Sequence, residues 1–238
     1  MSSLNPPGIY PLSQRQGIYV HAYLIDTGKA EDGLILIDTL FTEDAKVILD
    51  QIAALGKTPK DLKHIVLTHA HRAHMGGLAK LKQESGAKVY CHAWEADIVE
   101  GDRPIQYTTL LPKDPVVIWP FQVGARFQHH TPCKVDGMLR DGSKVGPLEA
   151  MYAPGHTPGH LVFHWAERSA LFAGDTLVNW PKFDQGWAGF MLNFRQNRAS
   201  VRRMAELNSN WIGVGHGDPV TSGGATQLKD LVMALPKD

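Results

Sequence analysis

Three histidines fall within the stretch Thr68-His69-Ala70-His71-Arg72-Ala73-His74-Met75-Gly76-Gly77, directly after the apolar run Ile65-Val66-Leu67. The run reads as a buried strand, and Gly76-Gly77 opens a helical pattern through Leu78 and Leu81. The histidines therefore sit on a loop at the end of a strand, where a rigid sheet can aim them at one point. Imidazole is the commonest zinc ligand, and zinc takes several nitrogen or oxygen donors at about 2.0–2.2 Å. A lone histidine is ordinarily a surface or core residue. Three at i, i+2 and i+5 on one loop point instead to a metal site.

The rest of the chain must build a frame for that loop. Residues 1–17, punctuated by Pro6, Pro7, Gly8 and Pro11, read as an irregular lead-in. Strands are expected over residues 18–26, 33–38, 64–67 and 88–91. Between them Thr42 is placed to cap a helix ending before Gly56, a second helix follows Gly77, and a third covers 92–100. This alternation favours an α/β layered fold. Residues 101–134 carry five prolines and the aromatics Tyr107, Trp119, Phe121 and Phe127. They read as a long excursion near the pocket, either packed on the surface or forming a pocket wall. Strands follow at 148–153, 161–165, 170–173 and 211–214, with helices around 199–207 and 227–235. No repeat or linker divides the chain, so residues 1–238 read as a single domain.

Composition narrows the partners. Lys+Arg and Asp+Glu balance at 24 each, which gives no sequence-wide footprint for nucleic acid or an anionic membrane. Arg195, Arg198, Arg202 and Arg203 have the spacing of a solvated helix face. Two cysteines, Cys91 and Cys133, cannot make a disulfide framework and suit a reducing compartment. With no secretory signal pattern and no run of ~18 apolar residues, a cytoplasmic protein acting on a small molecule is expected.

Four expected strands end in a polar group flanked by small residues: His69, His71 and His74 after the first, then His156, Asp175 and His216. Small neighbours let loops turn sharply and crowd side chains around one ion, and strand-end loops at one sheet edge are where layered α/β folds bind ligands. His69-Ala70-His71-Arg72-Ala73-His74, His156 within APGHTPGH, Asp175 within FAGD and His216 within VGHG resemble the metallo-β-lactamase-fold superfamily in order and spacing, over roughly residues 18–220. The resemblance implies a four-layer αββα sandwich with the metal site at one edge of the inner sheets. It implies His69, His71 and His156 as ligands of a first metal, Asp175 as a bridging carboxylate, and His74 and His216 as ligands of a second.

The chain departs from the family's HxHxDH pattern at Ala73, where the family has an aspartate that binds the second metal. A methyl group cannot, and one carboxylate is left to offset two divalent ions. The expectation is one strongly held zinc and a weak or empty second site. Ala73 itself fits a natural one-metal variant, a degenerate binding member or an engineered knock-out. The expected chemistry is attack of metal-bound hydroxide on an ester, thioester, lactone or amide carbonyl, with Asp175 orienting the nucleophile. Lack of a signal disfavours a secreted β-lactamase, and the short stretch after His216 disfavours the standard hydroxyacylglutathione hydrolase layout. His71, where flavodiiron-type members carry a carboxylate, disfavours those. The alternative is a mononuclear iron oxygenase of persulfide-dioxygenase type, with His69, His156 and Asp175 as a two-histidine, one-carboxylate set. A non-catalytic metal-binding member is a third reading. Arg72 is expected to point to solvent. His21, His92, His129, His130 and His164, like both cysteines, read as structural or exposed.

Overall fold

A computed structural model describes residues 4–16, 18–107, 120, 123–124 and 129–236. Two sheets face each other across an apolar core. The nine-stranded sheet runs β12-β11-β14-β2-β3-β4-β5-β6, with β1 also paired to β2. Its strands are β1 (Ile9–Gln16), β2 (Ile18–Asp26), β3 (Leu34–Ile37), β4 (Leu62–Val66), β5 (Lys88–His92), β6 (Gly137–Leu139), β11 (Leu177–Asn179), β12 (Phe183–Gln185) and β14 (His216–Gly217). The five-stranded sheet runs β13-β10-β9-β8-β7, from β7 (Lys144–Val145), β8 (Leu148–Tyr152), β9 (Leu161–Trp165), β10 (Ala170–Phe172) and β13 (Trp211–Gly213).

Period-two alternation of side chains assigns each strand face to a layer. Tyr23 and Ile25 of β2, with Ile35 and Ile37 of β3, point between the sheets. There they meet Leu161, Phe163 and Trp165 of β9 and Ala170 and Phe172 of β10. Val20, Ala22 and Leu24, on the opposite face of β2, meet helices α1 (Lys46–Ala54) and α3 (Leu78–Ser85) through Ile48, Ile52, Leu78 and Leu81, and helix α4 (Ala93–Val99) through Ala96 and Val99. On the far side, Val162 and Leu171 meet Val201 and Met204 of α5 (Phe194–Glu206) and Leu228 of α6 (Gly224–Ala234). These three apolar cores separate four layers, helices–sheet–sheet–helices, as the expected αββα sandwich requires. Both cysteines are free and buried in the core under α1, α3 and α4. Among the described residues, no helix is long and apolar enough to cross a membrane.

Two expectations are corrected here. The lead-in is largely a strand: β1 pairs antiparallel with β2, Pro11 opposite Tyr23. Proline lacks a donor but is tolerated in a strand at a sheet's margin, and Ile9 and Leu12 anchor β1 in cores on its two faces. Helix α1 begins at Lys46, because Ala45 is left-handed (φ 53°) and provides no side-chain cap. Thr42 instead donates its hydroxyl to Asp44 at 2.7 Å. Of the aromatics in the 101–134 excursion, Tyr107 is described, and Trp119, Phe121 and Phe127 lie outside the described residues.

Candidate metal centre

The six donors expected from the sequence come together at one edge of the sandwich. His69 and His71 follow β4, His74 sits on the short helix α2 (Arg72–Met75) and His156 follows β8; Asp175 follows β10, and His216 begins β14. Their arrival follows from the fold, because the strands that precede most of them end at the same edge. One ligand atom from each of His69, His71, His156 and Asp175 lies within 4.8 Å of all the others, and so does one from each of His74, Asp175 and His216. Asp175 belongs to both groups. Its Oδ2 lies 3.8 Å from His69 Nε2, 3.5 Å from His156 Nε2 and 3.3 Å from His216 Nε2, while Oδ1 lies 3.3 Å from His74 Nε2.

Backbone geometry makes this crowding possible. A Cβ at Gly215 would stand 1.8 Å from Asp175 Oδ1 and 3.0 Å from the His74 ring, so only glycine fits between the loops. The Gly215 amide donates to the Gly174 carbonyl at 2.9 Å, tying the loop of Asp175 to that of His216.

Protonation favours metal binding at the first group. Burial, then the neighbouring histidines, hold His69 far below its usual range. Burial likewise depresses His156 well below that range and takes His71 to about 4. Burial would raise the Asp175 carboxyl, yet His216 and His74 hold it well below the ordinary carboxylate range. Three neutral imidazoles and one carboxylate are what a divalent ion needs. His69 Nε2 and Asp175 Oδ1 are buried without a hydrogen-bond partner, and buried donors and acceptors are rarely left so unless an ion or water takes them. The residues fit a metal.

The second group differs. Burial opposes a charge on His74, but Asp175 and Asp38 on either side raise its pKa to about 10. Ala73 contributes no carboxylate beside it.

Several supporting groups escaped sequence reasoning. Asp38, left-handed at φ 59°, accepts the Thr68 amide and hydroxyl, both at 2.8 Å, and its Oδ2 lies 3.0 Å from His74 Nδ1. Thr68 Oγ1 is in turn 2.9 Å from His69 Nδ1. One buried carboxylate thus orients a histidine of each group, the kind of backing that fixes a ligand's tautomer and ring plane. Asp38 too is a polar residue at a strand end, the signal that could have found it. His71 Nε2 meets the Gln106 carbonyl at 3.0 Å, leaving Nδ1 to face His156 Nε2 at 2.9 Å. His160 Nε2 accepts the Asp175 amide at 3.2 Å.

Aromatic rings flank the donors. Tyr107 stacks on His71 with centroids 5.0 Å apart, and Trp187 lies 5.1 Å from His216. Arg72 is a correction: it points neither to solvent nor at a ligand. Its Nε donates to the His129 carbonyl at 2.7 Å, Nη1 donates to the Phe41 carbonyl and Nη2 meets Glu43 at 3.2 Å. The guanidinium lies over the Phe41 ring, which shelters a planar, weakly hydrated cation well. His92 caps α4, accepting the Trp94 amide at 3.2 Å.

His21 lies beside this edge, its amide donating to Gly215 at 2.9 Å and its Nδ1 buried without a partner. Burial, then the charges of His216 and His74, lower its pKa to about 4. Below the ordinary value near 6.5 the unfolded chain takes this proton and the folded one does not, so stability falls as pH drops from 6.5 towards 4. The thermal midpoint of His21→Gln is therefore expected to depend less steeply on pH between 7.5 and 4.5 than that of the parent. Parallel slopes would remove His21 as a source of acid sensitivity.

Comparison with known proteins places this arrangement. The chain is 30% identical over 210 residues to the protein YobT of Bacillus subtilis, covering 83% of each. It is 25% identical over 215 residues to the probable metallo-hydrolase YflN of the same organism, covering 84% of this chain and 81% of that one. A hydroxyacylglutathione hydrolase of Rhodopseudomonas palustris is 33% identical over 140 residues, covering 57% of this chain and 42% of that one. The fold matches the metallo-beta-lactamase family protein TTHA1429 from Thermus thermophilus, with a TM-score of 0.69 at 23% identity over 95% of this chain and 79% of that one. The family model of the metallo-beta-lactamase superfamily matches residues 15–216, a span that holds all six clustered donors, and the chain belongs to that superfamily.

Proposed function

We propose that the protein is a cytoplasmic hydrolase that opens an ester, thioester, lactone or amide bond in a small molecule, using one tightly held zinc ion at His69, His71, His156 and Asp175. The convergence of these four buried donors within 4.8 Å carries the reading. Membership of a superfamily whose relatives include a probable metallo-hydrolase supports it. An ion held there would supply Lewis acidity and would lower the pKa of a bound water to about 7.

The chain's own residues do the rest. Asp175, ionised and shared between the two groups, accepts a hydrogen bond from the attacking water and orients it. Asp38 and Thr68 hold His69 in one tautomer, and the Gln106 carbonyl does the same for His71. Tyr107 and Trp187 supply apolar walls beside the donors, which suits a substrate with an apolar portion. His74, His216 and Asp175 would hold a second ion only weakly, because the carboxylate expected at position 73 is absent.

The test is elemental analysis of protein purified without chelator, joined to assays on ester, thioester and lactone panels. The expected result is about one zinc per chain, held by the three histidines with Asp175 beside them and a position left for water, with turnover independent of oxygen. Iron with oxygen-consuming turnover of thiol or persulfide substrates would replace this reading with the mononuclear oxygenase. Metal-free protein would overturn both.

A further inference from the structure

Glu95 lies in the first turn of α4, where an acidic side chain ordinarily faces water and complements the helix dipole. Here it is 1% exposed. Its Oε2 accepts the backbone amide of Ala70 at 3.0 Å, and its Oε1 accepts that of Gly159 at 2.8 Å. Ala70 stands between His69 and His71; Gly159 belongs to the turn that follows His156. One carboxylate thus touches both loops that bring histidines to the first metal group.

We propose that Glu95 is the positioning residue of the first metal site, a clamp that fixes the distance between the His69/His71 loop and the His156 loop. The two oxygens of a carboxylate are rigidly joined, so amides bonded to them keep a fixed separation. Carboxylate–amide bonds are charge-assisted and stronger than neutral ones. The sequence is built around the contact. A Cβ at Gly159 would stand 2.7 Å from both Cγ and Oε1 of Glu95, so a side chain there would push the carboxylate off its partners. Gly159 is not left-handed, so the glycine answers to close approach, by Glu95 first and by Trp94 Cβ at 2.9 Å next. Burial raises the Glu95 pKa, and the Thr157 side chain and then the two donated amides oppose that rise by favouring the ionised form.

A merely structural glutamate and a positioning one make different predictions. If Glu95 only stabilises the fold, its removal lowers the thermal midpoint, while the folded fraction binds metal as before. If it sets loop spacing, the metal site itself changes. The inference rests on a metal binding at His69, His71, His156 and Asp175, so wild-type protein is titrated first with cobalt(II), read by its visible absorption, and with zinc against a competing chelator.

Glu95→Ala is then expected to bind the first ion at least about 10-fold more weakly, with a visible spectrum altered in position or intensity even at saturating cobalt. Glu95→Gln accepts only one of the two amides and is expected to fall between wild type and Glu95→Ala. Gly159→Ala keeps the glutamate but crowds it, and is expected to alter the spectrum in the same sense; it preserves the test if Glu95→Ala does not fold. Unchanged affinity and spectrum in folded Glu95→Gln and Gly159→Ala, with only a lower thermal midpoint, would overturn the clamp and leave the metal reading intact. Failure of the wild type to bind either ion would overturn both.

Discussion

Replacing His156 by alanine is expected to abolish tight metal binding and to lower turnover about 10³-fold, the equivalent of roughly 4 kcal/mol of lost Lewis-acid stabilisation. His156 is the only clustered donor on the loop after β8, and its Nε2 is 2.9 Å from His71 Nδ1 and 3.5 Å from Asp175 Oδ2. The ring is buried and held neutral, ready to ligate without losing a proton. Truncation leaves a three-donor set open on one side, and no other described donor shares the first group. His164, half-buried on β9 and outside the cluster, is the matched control. Metal content and kcat measured for both variants decide the matter: His156→Ala retaining its ion and its rate would remove His156 from the site.

Restoring a carboxylate at position 73 should act in the opposite direction. Ala73→Asp is expected to tighten the second ion about 100-fold and to bring metal content towards two per chain. Opposite unit charges 4 Å apart interact by roughly 4 kcal/mol at an effective dielectric near 20; desolvating the new carboxylate offsets part of this. At present Asp175 is the one carboxylate among the clustered donors, and the proton that His74 retains has to leave before an ion can enter. First-site affinity serves as the internal reference and is expected to change little. Chelator-buffered titration of both proteins gives the two constants. Equal second-site affinities would mean that the side chain at position 73 does not reach the ion.

The donor cluster was legible because its signal is local: polar residues beside glycine or alanine, on loops that follow apolar runs. His69, His71, His74, His156, Asp175 and His216 all carry it, and the topology had only to bring those strand ends to one edge. The supporting groups have no comparable mark. Gln106 acts through a carbonyl that every residue possesses, and Glu95 occupies a helix turn where an exposed glutamate would look identical. Arg72 was misplaced for a similar reason, since its partners include the carbonyls of Phe41 and His129, far away in sequence. In β1, the prolines hid a strand whose anchors, Ile9 and Leu12, serve two different cores. Pro11 signals irregularity only until the neighbouring strand is known to pair on one side.

The donors are divided between the two sheets. His69, His71 and His74 hang from the end of β4, and His216 opens β14, all in the nine-stranded sheet. His156 and Asp175 hang from β8 and β10 in the five-stranded one. An ion shared among them would be a cross-link closing the mouth of the sandwich, joining segments far apart in the chain much as a bridge between distant cysteines does. Ligand linkage makes that closure depend on supply, adding about 4 kcal/mol when free metal stands a thousandfold above its dissociation constant. The ion proposed as catalyst would in this sense also be a clasp, and a chelator would withdraw both at once.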